Sequence, residues 1–249
     1  MTATFLFSLL LSVTLSTGDT LMRCPIDDVQ VIASATALDG EYVQGVLYWP
    51  VVTGQGNQVA MAMMNNSMDY EIVAGESLEE TLQNFSESER GIVGSVFTVN
   101  FLDAGLLDVT IAIEFLGAYP GTFESYFTFN TRTGERLSAE DLFLEDRIED
   151  LVVLLDQHLQ RNIEIRKRQN TIDLGDDNPV TELDQNFIRE DLEDFTVMPD
   201  GMIFRHDFEF PHAILALEPE GEIFLEWAVL TEYIRTDGLM APVIAGVEQ

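Results

Sequence analysis

The chain has 249 residues, of which 46% are hydrophobic and 10% aromatic. That is enough for a packed core in one large domain or two small ones, and too apolar for a disordered chain. Its 44 acidic residues against 12 basic ones give a formal net charge of −32, a field that repels nucleic acid and anionic lipid and sets both aside as partners.

A single cysteine, Cys24, excludes an intramolecular disulfide, a cysteine-built metal cage and a CxxC redox pair. The acidity has two readings. The first is solubility in a salty environment, where self-repulsion is screened, and the second is attraction of a cationic partner.

Phe5–Leu15 (FLFSLLLSVTL) is an uncharged apolar run too short to span a bilayer comfortably, and polar residues follow at once. It predicts a signal peptide over 1–18 with cleavage before Asp19, and an exported chain, periplasmic or extracellular, with no stable membrane span after cleavage. No Lys or Arg precedes the run, so an uncleaved anchor stays open. Leu21-Met22-Arg23 is an unfavourable context for lipid attachment at Cys24.

Val29–Ala35 and Tyr42–Val52 read as strands about Asp39-Gly40, with Pro50 marking an edge or exit. After Gly54-Gln55-Gly56, the spacing of Val59 and Met63 predicts a helix. Its methionines (Met61, Met63, Met64, Met68) read as core filling ahead of a soft binding face. Glu76–Arg90 is expected as a second, more exposed helix or a loop. Ser95–Phe101, Leu106–Phe115 and Phe123–Phe129 alternate apolar and polar residues across short connections, which predicts an antiparallel meander.

Thr133-Gly134 closes a turn, and Ser138 with Asp141 resembles a capping box before a helix whose buried face carries Ile148, Leu151, Val152, Leu155 and Leu159. Arg161, Arg166, Lys167 and Arg168 are expected to complement the dipole at that helix's end. Thr171–Asp184 reads as an exposed polar linker, followed by a short helix around Asn186–Glu193. Phe195–Val197 and Met202–Phe204 form a hairpin about Pro199-Asp200-Gly201; Glu222–Trp227 is a last strand and Leu230–Ile234 a closing helical turn. The fold expected is α+β, an antiparallel sheet covered by helices on one face, with a smaller N-terminal α/β subdomain. The expected boundaries are an N-terminal subdomain over 19–92, a main domain over 93–236 and a tail over 237–249.

Candidate chemistry is sparse. Asp173–Asp184 (DLGDDNPVTELD) misses the helix-loop-helix calcium pattern at its third, sixth and twelfth positions. His206, Asp207, Glu209 and His212 match no named zinc motif, so no metal site and no cofactor site is expected. No GxSxG is present, His158 has no triad context, and paired acids such as Glu140-Asp141 carry little weight among so many carboxylates.

The stretch Gly117–Phe143 (GAYPGTFESYFTFNTRTGERLSAEDLF) resembles the signature of a bacterial extracytoplasmic domain of unknown biochemical role. That domain occurs at the C-terminus of RsiV-type, lysozyme-binding anti-sigma factors and in PdaC-type peptidoglycan deacetylases. Gly117-Ala118-Tyr119-Pro120-Gly121 answers to the family's corner, Thr133-Gly134-Glu135 to its turn and Leu142-Phe143 to its helix entry. Phe208, Phe210, Pro211, His212, Ala213 and Gly221 follow the order of its second block, and Tyr48-Trp49-Pro50 with Met64-Asn65 resembles an associated upstream module. Tyr119 stands where the family favours histidine.

The resemblance implies an exported, non-catalytic envelope binding module. Its expected partner is a lysozyme-like cationic protein or a cell-wall component, with Tyr119, His206 and His212 as candidate ligand contacts. The alternative is a cell-wall or glycan-acting enzyme, or its accessory subunit, using acidic residues, and a purely structural envelope protein is a third reading.

Overall fold

The computed structural model describes residues 20–24, 28–174 and 178–247. The apolar run, its cleavage site, the side chain of Cys24 and the start of the acidic stretch after Leu174 lie outside the described residues.

Six strands form one sheet in sequence order: β1 (Thr20–Cys24), β2 (Val29–Asp39), β3 (Gln44–Gly54), β4 (Gly91–Asp103), β5 (Leu106–Leu116) and β6 (Pro120–Asn130). The expected meander is present as β4–β5–β6, antiparallel throughout. The N-terminal strands join the same sheet through one parallel pair, β3 with β4, at Leu47 and Ser95. Between these two strands lie three helices, α1 (Gln58–Ser67), α2 (Tyr70–Ala74) and α3 (Leu78–Ser88). A connection of this length is what a parallel pair requires.

Beyond the short parallel contact, the Asn65 side chain of α1 takes the place of a neighbouring strand. It accepts from Val52 N at 2.8 Å and donates to Val52 O at 2.9 Å, so this backbone is not left unsatisfied. Met61, Met64, Met68 and Phe85 from the helices pack on Leu107, Val109, Ile111 and Ile113 of β5 in the first core. Three of the four methionines fill the core, the reading preferred for them, while Met63 is 40% exposed and Val59 69%. The turn after β6 is pressed against α1. Gly134 has φ +79°, and a Cβ there would stand 2.4 Å from Ala60 O, so glycine is required on both counts.

A second sheet, β7 (Phe195–Met198), β8 (Gly201–Arg205) and β9 (Glu222–Glu226), is antiparallel in that order. It contains the expected hairpin and last strand. The Ser138 box is formed: Asp141 Oδ2 accepts from Ser138 N and Ser138 Oγ, each at 2.9 Å, at the head of the short α4 (Ala139–Leu142). The long helix follows as α5 (Ile148–Leu174), whose Leu151, Leu155, Leu159 and Ile163 lie at successive fourth positions and are buried in the second core. Trp227, at the start of α6 (Trp227–Leu230), is 1% exposed and donates from Nε1 to Pro199 O at 2.9 Å. Met240 and Ile244, at the entry to and within α7 (Ala241–Val247), belong to the same core.

Two expectations are corrected. The stretch Thr171–Asp184 is not a free polar linker: α5 runs on to Leu174, and Val180 is fully buried. The Asn178 side chain holds that return by donating to Lys167 O at 3.0 Å and accepting from Val180 N at 3.0 Å. Because the helix continues, Arg161–Arg168 do not sit at its end. Arg166 instead donates Nε to Leu217 O at 3.1 Å and to Glu218 O at 2.8 Å, and Nη2 to Ala216 O. These are carbonyls at the close of a separate 3-10 helix, His212–Leu217.

The two sheets meet at Asp108 of β5, which is fully buried. Its carboxylate accepts from Thr128 Oγ1 of β6 at 2.6 Å, from Asn100 Nδ2 of β4 at 2.9 Å and from Val197 N of β7 at 2.9 Å. Burial pushes its pKa up from 3.8 to about 6, against the opposing pull of these three donors and Arg205. Because the folded value lies above the unfolded one, this contribution to stability is fully present below pH 3.8 and is lost as pH rises through about 6.

Asp108→Asn turns an amide donor toward groups that themselves donate. It is expected to lower stability by about 2–3 kcal/mol at pH 7. Chemical denaturation of both proteins at pH 4 and pH 7.5 should show a gap larger at the lower pH, by on the order of 3 kcal/mol. A gap independent of pH would contradict the raised carboxyl.

Candidate functional site

Where β6 runs beside the open end of the second sheet, a groove of about 750 Å³ opens to solvent. One wall is residues 122–127 of β6. The opposite wall is Arg205, His206 and Asp207, at and just beyond the end of β8, with Glu218, Pro219, Gly221 and Glu222 before and at the start of β9. Arg136 and Asp194 complete the lining.

The walls approach this closely because Gly221 has no side chain. His206 N donates to Gly221 O at 3.1 Å, and a Cβ on Gly221 would stand 2.1 Å from His206 O. The N-terminal half of β6, by contrast, projects past the core, and residues 122–124 are exposed on both faces.

Arg205 organises the floor. Its guanidinium carbon lies 3.8 Å from the centroid of the Tyr126 ring, its Nε donates to Glu222 Oε1 at 3.0 Å and its Nη1 to Thr196 Oγ1 at 2.8 Å. The Tyr126 hydroxyl donates to Glu124 Oε2 at 2.7 Å. Burial, reinforced by that bond, pushes the Tyr126 phenol well above its ordinary range. Arg136 lies 5.0 Å from the Phe127 ring centroid and donates Nη2 to Tyr126 O at 2.9 Å.

Both arginines of the lining are thus committed to internal contacts, while five carboxylates face the same space: Glu124, Asp194, Asp207, Glu218 and Glu222. Glu218 feels part of this crowding. Burial first, and then the neighbouring Asp207 carboxylate, raise its pKa against a Phe208 backbone hydrogen bond and His206. The groove carries more negative charge than its own cations neutralise.

The three histidine and tyrosine candidates do not form one cluster. His206 is turned inward with a side chain 9% exposed. Its Nδ1 donates to Asp191 Oδ2 at 2.8 Å, since a carboxylate only accepts, and its Nε2 lies 3.1 Å from Gln185 Oε1. Phe208 meets the imidazole edge-on, with centroids 4.8 Å apart. His206 therefore braces the groove wall. Tyr119 and His212, 93 positions apart in sequence, stack with ring centroids 4.6 Å apart and planes 27° from parallel. Tyr119 is 64% exposed, and the pair lies at the surface between the β5–β6 turn and the 3-10 helix.

Sequence reading did not single out Arg205, Tyr126, Arg136 or Glu218. Tyr126 and Arg136 meet through the local turn after β6, Arg205 and Glu218 join them only through the docking of the second sheet, and no local pattern marks any of the four. Asp108 carried a signal, an acid inside the apolar run LLDVTIAI, which breaks the rule that charges avoid buried strands.

The architecture is that of a mixed α+β protein with two antiparallel-rich sheets and an acidic groove between them. No family model and no curated protein matches the sequence. Among solved structures it is similar to a member of the DUF3298 family from Bacteroides fragilis, with 14% identity and a TM-score of 0.49, over 87% of this chain and 95% of that one. It is also similar to a DUF3298 family protein from Pseudomonas aeruginosa PAO1, with 13% identity and a TM-score of 0.49, over 88% of this chain and 98% of that one. No helix among the described residues is long and apolar enough to cross a membrane.

Arg205→Lys keeps the charge but loses the planar fork that reaches Glu222 and Thr196 while lying on Tyr126. It is expected to cost about 1–2 kcal/mol in thermal or chemical unfolding. Equal stability would show that the floor does not depend on guanidinium geometry.

Proposed function

We propose that the protein is a non-catalytic binding module of the cell exterior that captures a cationic protein, a lysozyme-like partner being the first candidate. One observation carries this reading. Five carboxylates line the groove, and its two arginines are already engaged with Tyr126, Phe127, Thr196 and one of those five, Glu222; at Glu218 the neighbouring Asp207 carboxylate adds to burial in raising the pKa. An added lysine or arginine side chain would relieve that repulsion, while the net charge of −32 would steer the partner in from a distance. The resemblance of Gly117–Phe143 to the domain of lysozyme-binding anti-sigma factors supports the choice of partner, and the apolar run Phe5–Leu15 supports export.

Calorimetric titration with lysozyme tests the proposal. Binding is expected at about 20 mM salt and should weaken steeply by about 300 mM, as screening shortens the reach of exposed charges. The double variant Asp207→Asn, Glu218→Gln should bind about five- to tenfold more weakly at low salt, chiefly through a slower association rate. Absence of binding by the wild-type protein at low salt removes this class of partner.

A further inference from the structure

The wall of the groove formed by β6 is a sheet edge, and its backbone is open. β6 is the last strand of the six-stranded sheet. Near its C-terminal end the outer side is occupied: Leu137 N donates to Thr128 O at 2.8 Å, and Asn130 N to Glu135 O at 3.0 Å. These two bonds fix the parity of the strand, because residues of one parity in an antiparallel pair direct both backbone groups away from the partner. Even-numbered residues of β6 therefore point outward.

The register with β5 runs without a shift from Asn130 opposite Leu106 to Pro120 opposite Leu116. The same parity thus extends to Tyr126, Glu124, Thr122 and Pro120. A proline fits the outward position at Pro120, where no ladder N–H is needed. Arg136 caps Tyr126 O. The N–H and C=O of Thr122 and Glu124, and the N–H of Tyr126, meet no partner among the described residues, and all three residues line the groove.

Resting on the cation-binding reading above, we propose that the partner segment enters this groove in extended conformation and adds a strand to β6. It would bond to Thr122, Glu124 and Tyr126 through its main chain and present lysine or arginine side chains to Asp207 and Glu218. The backbone supplies affinity that does not depend on side-chain identity, and the carboxylates supply selection. An open edge ordinarily invites a second copy of the same chain. Here the occupant is a basic peptide, because a second copy brings −32 to an edge already flanked by acids, whereas a basic strand is drawn to it.

The probe is a basic octapeptide of alternating lysine and valine, titrated against the full chain at low salt. Its control carries the same charges with every central amide N-methylated. The control, and the protein variant Thr122→Pro, should each bind about tenfold or more weakly, as expected for losing two or more main-chain bonds. Thr122→Pro removes only an outward N–H, so its unfolding midpoint should stay close to wild type, and the methylated control decides the matter if that variant fails to fold.

Hydrogen exchange gives the sharpest readout. On peptide binding, the amides of Thr122, Glu124 and Tyr126 should gain protection, while those of Phe123 and Ser125, already directed to β5, should not change. Equal binding of the methylated control, no binding of the parent peptide, or protection without this alternation overturns strand addition. If wild-type protein binds lysozyme but not the peptide, strand addition alone falls. If it binds neither, the cationic-partner reading falls with it.

Discussion

The placement of the second sheet depends on one buried carboxylate. Asp108 joins Asn100, Thr128 and Val197 from three different strands, so β4, β6 and β7 are tied through a single side chain of β5. A buried charge is costly unless every lone pair is engaged, and burial raises the pKa here in spite of the three donors. An apolar residue at this position could pack, but it would offer nothing to Val197 N and would leave the angle between the sheets less defined.

The groove is a consequence of that junction. With β7 pinned near the start of β5, β8 and β9 lie beside the Thr122–Phe127 stretch of β6 without pairing to it. The resulting gap is bounded by Gly221, whose lack of a side chain lets 221 and 206 come together, while Arg166, outside the lining, holds the carbonyls at 216–218 in place from α5. His206 braces the same wall from inside through Asp191 and Gln185. The acids of the lining other than Glu222 are then left facing one another across solvent, because Arg205 and Arg136 lie on aromatic faces and only Glu222 is paired with one of them.

The sheet edges follow a consistent logic. Toward the end of β6, the segment 135–137 covers the backbone, and on β3 the Asn65 side chain does the same for Val52. Between Thr122 and Tyr126 only Arg136, on Tyr126 O, does so among the described residues. The strand is kept from self-association there by Pro120 at its start and by the surrounding acids, both ordinary devices for protecting an edge.

Sequence alone determined the local elements. Alternation marked β4, β5 and β6, fourfold spacing marked the buried face of α5, and Ser138 with Asp141 marked a helix start, because each depends only on neighbours within a turn or a strand. It also determined the charge. What it could not supply was anything resting on two segments distant in the chain. The parallel join of β3 to β4 has no signature within either strand. The continuation of α5 through Thr171 depends on Asn178 turning back to bond Lys167 and Val180. Tyr119 and His212 were legible as candidates, but only the docking of the 3-10 helix beside the β5–β6 turn stacked them, while the same packing took His206 inward. The groove itself was decided entirely by tertiary structure. Its carboxylates are scattered from Glu124 to Glu222, and in a chain this acidic no local pattern separates them from the rest until the two sheets are set face to edge.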